Sequence, residues 1–374
     1  AITDPDFKYP SLWKSNIAAD YKFGDGWVAT VELLYSKDIN AIYHDNIGLY
    51  RTEQFVNDGG AGNARPYYNG YYSDREGNQK AANHVVMLRN TSKGHSLYTT
   101  FQLQKNFVDG ILKGLYLNGS YSFGQSRGVT DGTSSVATSA WKYRAALDGN
   151  AEEVGYTAGS FDGRLLLSAS YTANWSKYAA TSFGLIYQRY RPFRYSYCYN
   201  GDANGDSQFS NDLMYIPANF DEVKDHLLPG DFDSQEDAWK AMNAFIEQDP
   251  YLSKHRGEYA ERNGAVAPFA NQLDLSVSHD IKIYQKNGRS HTLRFSFNIA
   301  NFLNLLNRNW GVVQTTVLGN QQYQFLTIPK GQGPSAANNY TLKYTMAKDL
   351  DETFKDNLND VSRWQMQFGI KYIF

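Results

Sequence analysis

The feature that most constrains this chain is a strict two-residue alternation, clearest at its end. Trp364, Met366, Phe368, Ile370, Tyr372 and Phe374 fall on one side, and Arg363, Gln365, Gln367, Gly369 and Lys371 on the other. Successive side chains of a strand point to opposite faces, so the pattern describes a strand with one apolar and one polar face. It recurs upstream. Ile17, Ala19, Tyr21 and Phe23 alternate with Asn16, Asp20 and Lys22, and Ala29, Val31, Leu33 and Tyr35 with Thr30, Glu32 and Ser36. Further runs begin at Leu97, Leu115, Leu165, Phe183, Leu273 and Leu293.

The connections between these runs alternate as well. Short ones sit at Gly24-Asp25-Gly26, around Asp109-Gly110, at Ser176-Lys177-Tyr178 and at Gln285-Lys286-Asn287-Gly288, where Asn-Gly is a hairpin signal. Between them lie long connections, at about 45–94, 125–162, 200–269 and 303–361. Composition alone fits a soluble sandwich or a membrane barrel. The alternation of short and long connections separates them, because a transmembrane barrel has short turns at one end and long loops at the other. The expected fold is therefore all-β, a transmembrane antiparallel β-barrel with long extracellular loops. Mean hydropathy is −0.56, and no stretch approaches the roughly 18 apolar residues of a spanning helix.

This reading yields about nine strands, whereas single-chain bacterial barrels have even counts. The chain is thus expected to be part of a barrel, with upstream strands absent; a closed barrel built from residues 1–374 alone would contradict that. The start, Ala1-Ile2-Thr3-Asp4-Pro5, has neither a basic stretch nor an apolar segment, so export implies a leader already removed.

One helix is expected within a long loop. Ser234-Gln235-Glu236-Asp237 resembles a capping box, and Ala238, Trp239, Met242, Phe245 and Ile246 follow at helical spacing until Pro250. The single cysteine, Cys198, excludes an internal disulfide and a cysteine-rich zinc site, and reads as a lipid-facing or loop-core residue. A net charge of −2 gives no basic field for nucleic acid. The seven histidines are scattered, His279 and His291 reading as packing or turn residues, and no catalytic motif is present, so no enzyme is expected.

The polar cluster with most chemical content is Asp202, Asn204, Asp206 and Asp212. Oxygen-bearing side chains at alternate positions around a bend resemble the start of a calcium loop, since Ca²⁺ takes six to eight oxygen ligands. The sequence departs from an EF-hand at its sixth position, Ser207 instead of Gly, and at its twelfth, Leu213, with Asp212 one residue early. A looser Ca²⁺ site and a solvated Asx-rich turn both remain open. Arg256, Glu258, Glu261 and Arg262 read as an ion-pair network or ligand contacts. Tyr67, Tyr68, Tyr71, Tyr72, Tyr187, Tyr190, Phe193, Tyr195, Tyr197 and Tyr199 read as a membrane girdle or loop core, with sugar or peptide contact as the alternative.

Three stretches carry a family resemblance. They are Pro192-Phe193-Arg194-Tyr195-Ser196-Tyr197 with Asn200-Gly201-Asp202-Ala203-Asn204-Gly205-Asp206 and Asn211-Asp212-Leu213-Met214-Tyr215-Ile216-Pro217; Arg256-Gly257-Glu258-Tyr259-Ala260-Glu261-Arg262-Asn263; and Asn301-Phe302-Leu303-Asn304-Leu305-Leu306-Asn307 before Trp310-Gly311. In these the chain resembles the carboxy-terminal half of TonB-dependent outer-membrane receptors, Oar-like subgroup. The end, Gly369-Ile370-Lys371-Tyr372-Ile373-Phe374, looks like the strand read by the barrel-insertion machinery. The resemblance implies a barrel of about 22 strands around a plug. It also implies a Gram-negative cell outer membrane location, contact with outer-membrane lipid, and energy-coupled uptake through the TonB complex by an amino-terminal segment this sequence does not contain. The competing expectation is a surface assembly or adhesion protein, its barrel an anchor and its loops binding a surface lipoprotein or another outer-membrane subunit. A passive porin fits less well with such long loops.

Overall fold

The computed structural model describes residues 1–56, 65–71, 84–132, 134–284, 290–318, 322–331, 333–334, 340–346 and 352–374. Among them, nine long strands form one antiparallel run: β1 (Ser11–Phe23), β2 (Trp27–Asn46), β3 (His95–Asn106), β4 (Leu115–Gly128), β5 (Arg164–Ser176), β6 (Ala179–Tyr190), β7 (Ala270–Tyr284), β8 (Ser290–Ala300) and β9 (Gln365–Ile373). Each pairs with the next in sequence. Three short strands, Ile2–Thr3, Val86–Thr91 and Gly155–Tyr156, extend the sheet at the end where the long connections leave. Among the described residues β1 and β9 are not paired with each other, so the sheet is open. No helix among the described residues is long and apolar enough to cross a membrane.

The register sets the character of each face, because directly opposed residues share one. On one face Ala19, Val31, Phe101 and Tyr121 lie in a row, as do Tyr171, Phe183, Val277, Phe297 and Phe368. These are the alternating apolar residues of the sequence, and most are open even at the centre of the sheet: Phe101 is 48% exposed, Tyr121 46% and Phe183 41%, while Tyr171 and Val277 are half-buried. On the other face polar side chains join across strands. Ser36 meets Ser96 at 2.6 Å, Thr100 meets Ser122 at 2.9 Å, and Gln102 donates to Asn118 at 2.7 Å. Further along, Thr172 meets Ser182 at 3.0 Å, Gln188 donates to Gln272 at 2.8 Å and Ser276 to Asn298 at 2.7 Å. Arg294 grips Asp280 through two bonds, at 2.6 and 2.7 Å.

Short connections at 24–26, 107–114 and 177–178 lie at one end of the run. The expected Asn287-Gly288 turn falls outside the described residues, as does Tyr72. The long connections, 47–94, 129–163, 191–269 and 301–364, all leave from the opposite end. The principal hydrophobic core lies within them rather than on the sheet. Tyr195, Tyr197, Phe245, Tyr323, Phe325, Tyr340 and Leu342 are all fully or almost fully buried there, and the Tyr197 ring lies 5.3 Å from Tyr323 and 5.4 Å from Tyr195. These connections therefore form a packed cap. Tyr67, Tyr68, Tyr195, Tyr197 and Tyr199 belong to its interior and not to a girdle; Cys198 is buried there too, beside Ala145 and Leu213.

Helix α1 (Ala137–Lys142) brings buried Trp141 into the cap, and α3 (Phe302–Leu306) follows β8. The expected loop helix is α2 (Gln235–Gln248). Ser234 caps it, its Oγ accepting from the Asp237 amide at 3.1 Å and donating to the Asp237 carboxylate at 2.7 Å. Ala238, Met242, Phe245 and Ile246 form its buried face. It stops at Asp249, whose extended backbone suits the residue before Pro250.

Candidate functional site

The polar cluster expected from the sequence lies deep in the cap. Residues 202–212 fold back on themselves, bringing one oxygen each of Asp202, Asp206 and Asp212 within 4.8 Å of one another. Oxygen ligands of one Ca²⁺ ion, each at about 2.4 Å, stand no farther apart than that. Asp206, Asp212 and Asn204 are fully buried, and Asp202 is half-buried.

Backbone amides hold the turn. The Asp202 carboxylate accepts from the amides of Gly205 at 2.6 Å, Ser207 at 2.8 Å and Asn204 at 3.2 Å. Asn204 Oδ1 accepts from the Asp206 amide at 2.9 Å, and Asp206 Oδ1 from the Gln208 amide at 2.8 Å. Ser207, where a calcium loop carries glycine, adopts φ 63°, the left-handed conformation that position demands. The departure is thus in residue type and not in backbone path. Asp212, one residue early, still turns inward, while Leu213 packs beside Cys198. Gly205, at φ 83°, lets the turn approach the first long connection: a Cβ there would sit 2.0 Å from the Tyr68 carbonyl oxygen.

The electrostatics follow from burial. Loss of water raises the Asp206 carboxyl to about 7, with the Asp202 charge adding to the effect. Burial also pushes Asp212 well above the carboxylate range, with Asp206 adding to it and Arg65 opposing. Asp202 rises through burial as well, opposed by the amides that bind it. Arg65, itself fully buried, donates to Asp212 Oδ1 at 3.2 Å and to the Leu213 carbonyl, and its guanidinium lies 5.5 Å from the Tyr199 and Tyr259 ring centres. Asn211, 2% exposed, points its amide nitrogen to within 3.5 Å of Asp206 Oδ2, and its Oδ1 has no hydrogen-bond partner.

The structure brings all four sequence-derived residues together and adds two, Arg65 and Asn211. Asn211 stands beside Asp212 and belongs to the oxygen-rich pattern. Nothing local marks Arg65, which lies 147 residues away.

The stretch holding Arg256, Glu258, Glu261 and Arg262 does not bind itself together as an ion-pair network. Arg256 donates to the Asn243 side chain at 2.8 Å and lies 3.7 Å from Glu247; Glu261 pairs with Arg127. Arg262 is buried and donates to the carbonyls of Gly128 and Val129. These side chains fasten the third connection to α2, to β4 and to the start of the second connection. His279 bonds Thr181 Oγ1 at 2.8 Å, and His291 stacks on Tyr372, consistent with packing.

No family model, no curated protein and no solved structure matches this chain.

Proposed function

We propose that this chain is the downstream part of a bacterial outer-membrane barrel belonging to a TonB-dependent receptor, which takes up a ligand through energy supplied across a plug. The observation that carries the membrane reading is the inverted sheet. Its apolar face is the exposed one, and its polar face is cross-linked by side-chain hydrogen bonds. A soluble sheet hides its apolar face in a core, and monomeric proteins seldom leave more than a few hundred Å² of contiguous apolar surface open. Lipid is the solvent that makes this arrangement stable.

Three further features agree with it. The strands run from 9 to 20 residues, enough to span when tilted. Near the short-turn end Tyr21, Phe23 and Trp27 stack in series, and Trp175, Tyr178 and Tyr372 are exposed, as an interfacial girdle requires. The open edges of β1 and β9 supply backbone groups that further strands would satisfy, as hydrocarbon demands. The receptor reading adds the family resemblance of the loop stretches, which form the cap.

Two measurements on the full-length protein test it. A fluorophore placed by Val31→Cys, Phe183→Cys or Phe368→Cys should be quenched by brominated acyl chains and not by iodide in reconstituted vesicles. Quenching by iodide alone would remove the membrane reading. The carboxy-terminal domain of TonB should bind the full-length protein. If the membrane test succeeds and this binding fails, the energy-coupled reading gives way to a surface anchor whose cap engages a partner.

A further inference from the structure

The cap is built from four connections far apart in the chain, and the 202–212 turn is where they meet. From the first, the Tyr68 amide donates to the Asn204 carbonyl at 2.7 Å and Arg65 reaches Asp212. From the second, the Ala146 amide donates to the Asn211 carbonyl at 2.9 Å, and its carbonyl accepts from Leu213 at 3.1 Å. From the fourth, Ile328 donates to the Asn200 carbonyl and Asn200 to the Leu326 carbonyl, both at 2.9 Å. At this junction three carboxylates each bring an oxygen within 4.8 Å of the others, and the guanidinium of Arg65 engages one of them.

We propose that Asp202, Asp206, Asp212 and Asn211 bind a divalent cation of the calcium class, and that this cation clamps the four connections of the cap together. Two observations carry it independently. The first is the convergence of three carboxylates, two of them fully buried, each offering an oxygen within 4.8 Å of the others; such a set of protein oxygens suits Ca²⁺, whereas Mg²⁺ usually keeps several of its waters. The second is Asn211, whose buried side chain lies against Asp206 with an oxygen that no hydrogen bond satisfies. As placed, the amide turns its nitrogen to Asp206; rotating it by half a turn, which exchanges nitrogen and oxygen, would aim that oxygen at a cation held by Asp206 and satisfy it. The ligands are all oxygen, the set that suits hard cations and not zinc or copper. The left-handed Ser207 turns the chain as a calcium loop must at that position. The inference is independent of whether the protein is a transporter.

The test uses the full-length protein in detergent after chelation, with calcium alone as the probe. Calorimetry should give one saturable site, with magnesium binding at least tenfold more weakly. Terbium should luminesce when the protein's aromatic residues are excited, and calcium should displace it. Asp206→Asn and Asn211→Leu should each weaken calcium binding at least tenfold, whereas Asp231→Asn, an exposed carboxylate paired with Lys343, should not. Because a variant could fail to fold, the wild-type protein carries the second readout. On adding calcium, amide hydrogen exchange should slow in residues 65–71, 144–148, 200–213 and 326–328 and stay unchanged in the centres of β3 to β8. Absence of both calcium heat and terbium luminescence in the wild-type protein would overturn the site. Binding without slowed exchange in the first, second and fourth connections would overturn the clamp.

Discussion

Arg65 and Asp212, each sealed from solvent, meet at 3.2 Å across 147 residues of intervening chain. The pair joins the first long connection to the third, and it sets a first expectation. Removing one partner of a buried pair leaves an uncompensated charge at a cost of about 3–5 kcal/mol. With divalent cations chelated, Arg65→Met should therefore destabilise the cap by roughly that amount, while the double change Arg65→Met with Asp212→Asn should cost much less. Hydrogen exchange resolved by segment checks this, since cap amides should accelerate while those at the centres of β3 to β8 hold.

Neighbouring positions of the same turn should respond with opposite signs. Ser207 holds a left-handed backbone that costs a non-glycine residue about 1–2 kcal/mol, so Ser207→Gly should stabilise the cap by about 1 kcal/mol. Gly205→Ala should destabilise it, because its methyl would overlap the Tyr68 carbonyl. Thermal unfolding of the two variants beside the parent gives the comparison.

Asp249 ends α2 and gathers four donors: the Tyr197 hydroxyl at 2.6 Å, the Thr353 hydroxyl at 2.7 Å and the amides of Tyr251 and Leu252 at 2.9 and 2.8 Å. Tyr197→Phe removes one donor and should cost about 1 kcal/mol. Asp249→Ala strands several buried donors and should cost at least three times as much. Equal losses in denaturant unfolding would mean that Asp249 does not organise this junction.

The two faces of the sheet should differ in their tolerance of charge. Val31→Arg places a cation on the apolar face and should cost about 2–4 kcal/mol in a bilayer. Gln102→Arg, on the hydrogen-bonded face, should stay within about 0.5 kcal/mol of the parent. Urea titration of the protein folded into vesicles measures both, and similar costs would argue against lipid on the apolar face.

How much of this was legible in the sequence depends on the range of the interactions. The strands were readable because their period of two is local, and Trp364 to Phe374 states it almost without interruption. The loop helix was readable for the same reason, since Ser234, Asp237 and the apolar spacing up to Ile246 lie within one short window. Asp202, Asn204, Asp206 and Asp212 were readable as a group because one turn holds them. Arg65 was not, because its partner is distant and nothing near it in sequence distinguishes it from other arginines. The ion-pair reading of Arg256, Glu258, Glu261 and Arg262 holds for Arg256 and Glu261, but with partners outside the stretch, for a related reason. Like and opposite charges in one stretch suggest mutual pairing, whereas Arg256 turned to α2, Glu261 to β4 and Arg262 to backbone carbonyls. The tyrosines of the 195–199 stretch stay open between girdle and loop core in the sequence because composition carries no depth; packing against Tyr323, Phe325 and Tyr340 places them in the core.

The dispersed origin of the cap's core has a consequence for how the chain matures. Tyr195 packs on Tyr323 and Phe354, and Phe245 on Phe325, so the interior is complete only after the last long connection is in place. Contacts of such wide sequence separation form slowly, since chain entropy is lost before packing repays it. Each long strand of the sheet pairs with the one before it in sequence, whereas the core of the cap draws on connections far apart in the chain. The tyrosines of the earlier connections therefore find their packing partners only in the last one. A chain with its last long connection out of place would keep every strand pairing of the sheet and leave the buried aromatic side chains of its cap without partners.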